Sequence, residues 1–420
     1  MSLARPHVVV VGAGFGGLRT AHRLENAPVD VTLIDRNNYH LFQPLLYQVA
    51  TAGLSPDDIA HPVRSILRSQ KNLEFRLAEV TGVDLDQRQV HTRTGSLPYD
   101  YLVLAIGGQT NTFGIESVAE NAFGLKGLED AVGIRNHILR LFEKAAIEPD
   151  AQKRRALLTF AIAGGGPTGV ECAGAISELI RMVLVKDYPH LNMHEARVVL
   201  IEAARQILPA LPLNLSSEAA EVLKRKKVEV RFGAAVSSFD GQVITFNDGS
   251  SLPAHTLIWA AGVRAAALAD ALGLPQAGLG RLVVQPTLQV EAHPEVFVIG
   301  DAAHLPGPDG RPLPMVAPVA MQQADQAVAN IRAALEGQPA KPFAYKDPGA
   351  LATIGRNAAV ASLGKWQFKG FIAWFLWLVV HIVQLVGFRD RLIVVINWAW
   401  DYLFYDRAIR LIDPQRSCDT

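Results

Sequence analysis

His7-Val8-Val9-Val10-Val11-Gly12-Ala13-Gly14-Phe15-Gly16-Gly17 stands almost at the start of this 420-residue chain. His7 to Val11 is a short apolar run that ends in glycines, the pattern of a buried parallel strand. A helical pattern follows to about Asn26, and Val29 to Asp35 reads as a second strand. Gly12, Gly14 and Gly17 have GxGxxG spacing, and Asp35 closes the second strand eighteen residues after Gly17. Each part has a physical task. Gly12 permits the tight turn, Gly14 lets backbone approach a pyrophosphate, and Gly17 lets helix and strand pack closely. The helix N-terminus offers free N–H groups and partial positive charge to the phosphates, while Asp35 accepts from ribose hydroxyls. A lone GxGxxG is a weak signal, but here strand, helix, spacing and acid agree.

The same grammar returns from Leu157: an apolar strand to Ala163, then Gly164-Gly165-Gly166-Pro167-Thr168-Gly169, a long helix, and the strand Arg197 to Glu202. Gly164, Gly166 and Gly169 take the three glycine roles, and Glu202 takes the ribose role. A carboxylate there repels a 2′-phosphate and favours NADH over NADPH, with Arg205 close enough to soften the preference. Two loops divide the labour between a bound flavin and a visiting nicotinamide. The first is assigned to FAD because Val296-Phe297-Val298-Ile299-Gly300-Asp301 supplies its other half, with Asp301 on the ribityl chain. Further strands end at Gly108 and Gly262. The fold expected is α/β, with two Rossmann-like dinucleotide-binding domains: FAD on 1–115 and 280–340, NADH on 116–279.

Composition narrows the function. Forty basic and forty acidic side chains cancel, which removes the electrostatic footprint of a nucleic-acid binder. Two cysteines, Cys172 and Cys418, are far apart and form no CxxC pattern, so neither a disulfide framework nor a zinc site is expected. Cys172 reads as a packed small hydrophobe. That cysteine usage fits a reducing cytosolic environment, and the first strand begins within a few residues of Met1, so no signal peptide is expected.

These residues resemble the pyridine nucleotide-disulfide reductase-like flavoproteins over about 7–335, and within them the type II NADH:quinone oxidoreductases. The narrower likeness rests on Asn38-Tyr39-His40-Leu41-Phe42-Gln43-Pro44-Leu45-Leu46-Tyr47-Gln48, on Pro167-Thr168-Gly169-Val170-Glu171, on Trp259-Ala260-Ala261-Gly262-Val263, and on Asn397-Trp398-Ala399-Trp400-Asp401-Tyr402. It implies hydride transfer from NADH to flavin N5, then two electrons and protons to a membrane quinone, without proton pumping. Disulfide and sulfide:quinone reductases of this fold need redox cysteines that this chain lacks. A soluble ferredoxin or rubredoxin reductase-like flavoenzyme and a nucleotide-sensing flavoprotein stay open as alternatives. The resemblance implies nucleotide contacts from Gly12, Ala13, Gly14, Phe15, Gly16, Gly17, Asp35, Arg36, His40, Gln43, Val80, Gly107, Asp301, Ala317, Pro318, Gly164, Gly166, Thr168, Gly169, Glu202 and Gly262. It also implies a homodimer at the cytoplasmic face of the membrane.

Two residues are expected to carry chemistry. Glu171, two residues past Gly169, reads as a first-turn residue that is either a dipole-favoured surface glutamate or, by resemblance, a group orienting nicotinamide or relaying a proton. A helix from about Ala317 carries Pro318 in its first turn, and the resemblance aims it at the flavin pyrimidine edge. The family's AQxAxQ pattern reads Ala317-Pro318-Val319-Ala320-Met321-Gln322 here. Gln322 keeps the second glutamine, Pro318 replaces the first, and Gln323 and Gln326 read as a solvated face.

Beyond a linker at Gly337–Asp347 the composition changes, and 341–420 is expected to be a helical membrane-associating region. Phe371 to Val386 is too short for the ~20 apolar residues of a spanning helix. Phe371, Trp374, Phe375, Leu378, Ile382 and Leu385 repeat at helical spacing behind Lys365 and Lys369. Leu392 to Ile412 mixes apolar residues with Asp401, Asp406, Arg407 and Arg410, and five of the six tryptophans lie in this tail. A helix lying in the membrane interface uses such residues. A buried or dimer-forming hairpin and a single span are the other readings.

Overall fold

The computed structural model describes residues 5–404, 407 and 409–412, without the side chains at 388 and 389, so Asp406 and Cys418 lie outside the described residues. In chain order, the elements that position the site are β1 (His7–Val11), α1 (Phe15–Arg23), β2 (Asp30–Asp35), α2 (Leu46–Ala50), β3 (Leu73–Leu77) and β4 (Tyr101–Leu104). Next come β5 (Thr159–Ala163), α3 (Pro167–Glu178), β6 (Arg197–Glu202), β7 (Val228–Phe232), β8 (Thr256–Trp259), β9 (Gln289–Val290), β10 (His293–Val298) and α4 (Ala317–Leu335). The C-terminal part adds β11 (Ala350–Gly355), β12 (Ala358–Leu363), β13 (Trp366–Lys369), α5 (Gly370–Gln384) and α6 (Phe388–Phe404).

The chain forms two compact units, 1–41, 61–109 and 263–347 in one, and 42–60, 110–262 and 348–420 in the other. In the first unit, one sheet runs β9-β10-β4-β1-β2-β3. The pairs β10–β4, β4–β1, β1–β2 and β2–β3 are parallel. Val8, Val9 and Val10 are fully buried, as a strand covered on both faces requires. Val11 is in register with both Ile34 and Leu104, so the loops after β1, β2 and β4 emerge at one sheet edge. In the second unit the order is β7-β6-β5-β8, again parallel. Ala163 aligns with Ile201 and Trp259, so the same edge is built twice.

The tail departs from expectation. Residues 350–369 form a three-stranded antiparallel meander, β11-β12-β13, before any helix begins. Its strands are short and pair with one another, which helical periodicity cannot signal. The helices α5 and α6 follow as a hairpin through a turn at Gly387, whose φ is +88°. The rings of Trp374 and Tyr402 stack with centroids 5.6 Å apart, and those of Trp377 and Trp398 lie 5.8 Å apart. Among the described residues no helix is long and apolar enough to cross a membrane.

Candidate active site

In the first unit the glycine loop is shaped by close approaches. Gly12 has φ +101°, and a Cβ there would collide with the Ala105 carbonyl; one on Gly17 would collide with Gly12. Gly14 caps α1, and a Cβ there would meet nothing within 4 Å, so space is left over the helix N-terminus. The Asp35 carboxylate accepts from Ala13 N–H at 2.6 Å and Asn37 N–H at 2.7 Å. Burial raises its pKa, against the pull of those N–H groups. His40 is buried, its Nδ1 2.9 Å from the Ala13 carbonyl oxygen and its ring edge-on to Phe15. Arg36 is exposed beside it.

Gly107 turns with φ +68° after β4, and a Cβ on Gly108 would stand 3.1 Å from an Asp301 carboxylate oxygen. Asp301 follows β10, the neighbour of β4. The side chain of Ile299 and the Ala320 carbonyl both lie close to Gly16, so α1, β10 and the first turns of α4 converge there. No side chain caps α4, whose first turn contains Ala317 and Pro318. Val80 begins a separate short strand, Val80–Asp84. A loop over an open helix N-terminus, an acid at the next strand end and a second acid after β10, beside the β4 loop, fit a dinucleotide.

One glutamine of α4 departs from its expected setting, Gln323 being buried where a solvated face is expected. Gln322 is occupied at both ends of its amide: Nε2 donates to the Lys346 carbonyl at 2.9 Å, and Oε1 accepts from Lys346 N–H at 3.0 Å. Gln323 is fully buried rather than solvated, and its Oε1 accepts from Gly300 N–H at 2.7 Å. Gln326 bonds Asn330. Three glutamine-rich positions read alike in sequence because their partners, Gly300 and Lys346, come from other loops.

The second unit repeats the loop. Gly164 has φ +108°, a Cβ on Gly169 would collide with Gly164, and Gly166 is open. Glu202 accepts from Gly165 N–H at 2.6 Å and Ala204 N–H at 2.7 Å. Thr168 is exposed in the first turn of α3. Gly262 packs against Phe113, and Gln43 donates to the Lys126 carbonyl at 3.2 Å.

Glu171 differs from both expectations of a surface or first-turn residue. Pro167 starts α3, so Glu171 sits in the second turn, and it is 8% exposed. Its Oε1 accepts from Thr353 N–H at 3.3 Å and Trp377 Nε1–H at 3.2 Å. Burial pushes its pKa up to about 8 despite those two donors. The approach that brings Thr353 within reach is permitted one turn further on. A Cβ at Gly174 would collide with the Ile354 carbonyl, so α3 lies directly on β11. Cys172 is fully buried beside it, a packing residue as expected.

Next to this carboxyl the second unit holds a cavity of about 620 Å³, lined by α2, α3, β11 and the α5–α6 hairpin. Tyr47, Gln48, Thr353, Trp377 and Trp398 bring polar atoms, and Glu178, Arg356, Asp401 and Arg407 bring charged ones, to a wall built mostly from apolar residues such as Trp374, Leu378 and Val395. Part of the expected tail stripe, Trp374, Leu378 and Ile382, thus faces inward. Two of the tail tryptophans are site residues, because Trp377 bonds Glu171 and Trp398 bonds Gln48. The tryptophan clustering was the one sequence signal that pointed to them.

Comparison with known proteins agrees with this geometry. The family profile for pyridine nucleotide-disulphide oxidoreductases matches residues 6–324, and that for the NDH2 C-terminal domain matches 348–405. These define a flavoprotein of the two-dinucleotide class with a specialised tail. The chain is 40% identical to the type II NADH:quinone oxidoreductase Ndh of Mycobacterium tuberculosis, over 98% of this chain and 91% of that one. It is 42% identical to NdhA of the same organism, over 96% and 88%. A structure of NDH2 from Plasmodium falciparum in complex with NADH superposes with a TM-score of 0.90 at 22% identity, covering 98% and 100%, a likeness of fold. The chain belongs to the type II NADH:quinone oxidoreductase family.

Proposed function

We propose that the chain oxidises NADH and reduces a membrane quinone, with FAD held by the first unit. When bound, FAD supplies the chemistry that accepts a hydride from NADH and delivers two electrons onward. The domain expected at 1–115 and 280–340 holds FAD through Gly12–Gly17, Asp35 and Asp301, all three of which lie in the first unit. Residues 116–279 hold NADH through Gly164–Gly169 and Glu202. Glu171 is a buried carboxyl that stays protonated to about pH 8, suited to hold a proton at its Oε atoms beside the cavity. The single observation that carries the quinone reading is the apolar cavity beside that carboxyl.

Peripheral attachment to the membrane follows from the hairpin's outer face. Phe371 and Ile372 of α5 and Leu392, Ile396, Trp400 and Phe404 of α6 are exposed and lie outside the cavity lining. An apolar patch of this kind lies in a bilayer interface. The cytoplasmic face and a homodimer are proposed with it from the family. Replacing Ile372 and Ile396 with Asp should release the protein from lipid vesicles; unchanged co-sedimentation would contradict the attachment. The function itself is tested by steady-state NADH oxidation with a panel of quinones, with dichlorophenolindophenol as unselective control. Turnover with the dye but with no quinone would reject it.

A further inference from the structure

The cavity wall contains a polar chain whose donor direction is fixed by chemistry. Indole Nε1 can only donate, and Trp398 Nε1 lies 2.7 Å from Gln48 Oε1. The other end of that amide must then be Nε2, and it donates to the Tyr47 hydroxyl oxygen at 3.0 Å. Tyr47 is therefore an acceptor toward Gln48, and its own O–H hydrogen is left to point elsewhere. Among the described residues no acceptor takes that hydrogen, although Tyr47 is 6% exposed and lines the cavity. A buried hydroxyl without an acceptor is costly, which marks a place where a ligand completes the bonding. The ring is held edge-on to Trp377, with centroids 6.4 Å apart. Burial, reinforced by the nearby Glu171 carboxyl, keeps the phenol protonated well beyond its ordinary range.

A quinone head is flat, apolar and presents only acceptors, its two carbonyl oxygens. We infer that the Tyr47 hydroxyl, aimed by Gln48 and Trp398, donates a hydrogen bond to a quinone carbonyl oxygen in this cavity. The inference rests on the quinone-reductase reading and names the contact that recognises the substrate. Gln48 and Trp398 are positioning residues. They fix which way the hydroxyl donates.

Tyr47→Phe keeps the ring against Trp377 and removes only the donor. With the FAD-loaded protein, decylubiquinone titrated against tryptophan fluorescence should bind about tenfold more weakly to this variant. Flavin reoxidation by decylubiquinone should slow in parallel at subsaturating concentrations. Flavin bleaching by NADH and turnover with ferricyanide, which offers no carbonyl, should match the parent. Gln48→Leu, which leaves the hydroxyl but frees its direction, should show a smaller loss, about threefold. Equal quinone binding by Tyr47→Phe and the parent would overturn the inference, as would equal loss of NADH bleaching, which marks a structural role. If the parent itself neither binds nor is reoxidised by quinone, the broader reading fails first.

Discussion

The two glycine loops of this chain are near copies in backbone and differ in what surrounds them. Gly12 and Gly164 adopt the same left-handed turn, and the last glycine of each loop packs on the first. In both, an acid at the next strand end accepts from the N–H after the first glycine at 2.6 Å. The first difference is one residue inside the loop. Ala13 is tolerated over Asp35, whereas a Cβ at Gly165 would stand 2.8 Å from a Glu202 oxygen and 2.6 Å from Ile207. Ile207 and the longer acid together remove the space that an alanine needs.

The second difference lies one turn into the helices. Arg19 of α1 occupies the place that Glu171 holds in α3, counted from the first glycine of each loop. Arg19 forms a half-exposed ion pair with Asp325 of α4 at 2.6 Å. Glu171 is buried under Thr353 and Trp377 from the tail. Equal loops therefore carry unequal sites, because a C-terminal segment covers only one of them.

The largest expected effect separates the loops. Gly17→Val and Gly169→Val each force a side chain onto backbone, at a cost of about 3 kcal/mol, or about 100-fold in nucleotide affinity. The first variant should be purified without flavin absorbance; the second should keep its flavin and lose bleaching by NADH. Loss of flavin from both would break the division of labour. Next, Glu202→Ala should weaken NADH about tenfold or more and narrow the gap to NADPH, read from flavin reduction rates. Equal rates with both nucleotides in the parent would defeat the role given to Glu202.

Glu171→Gln probes the covered helix, with turnover expected to fall about tenfold. The folded carboxyl titrates near 8, above its unfolded value. Its contribution to stability is thus full below the ordinary glutamate range and lost as pH rises through about 8. Melting temperatures of the parent should drop across that window, while those of Glu171→Gln stay level; parallel curves would contradict the burial. The smallest effect is the loop alanine. Gly165→Ala should weaken NADH, whereas Ala13→Gly should cost no more than about 1 kcal/mol in thermal or flavin-binding stability.

The loops were legible because glycine spacing, strand and acid are local, all within one strand–helix–strand unit. Asp35 and Glu202 end their strands as expected, and Asp301 stands in a short helical turn just after β10. Glu171 was found by resemblance, but its surroundings were not. Thr353 lies 182 residues away in sequence and Trp377 lies 206, and no periodicity links them. The meander at 350–369 was missed because its strands pair only with each other. The burial of Gln323, expected to be solvated, was not legible because a contact with the Gly300 loop, rather than helix position, decides it.

The most direct test of the divided loops and the quinone outlet is an anaerobic double-mixing stopped-flow experiment on the flavin absorbance. NADH should bleach the flavin in the first mix, and quinone should restore it in the second, with NADPH far slower in the first. Bleaching by NADH that no quinone reverses would contradict the account.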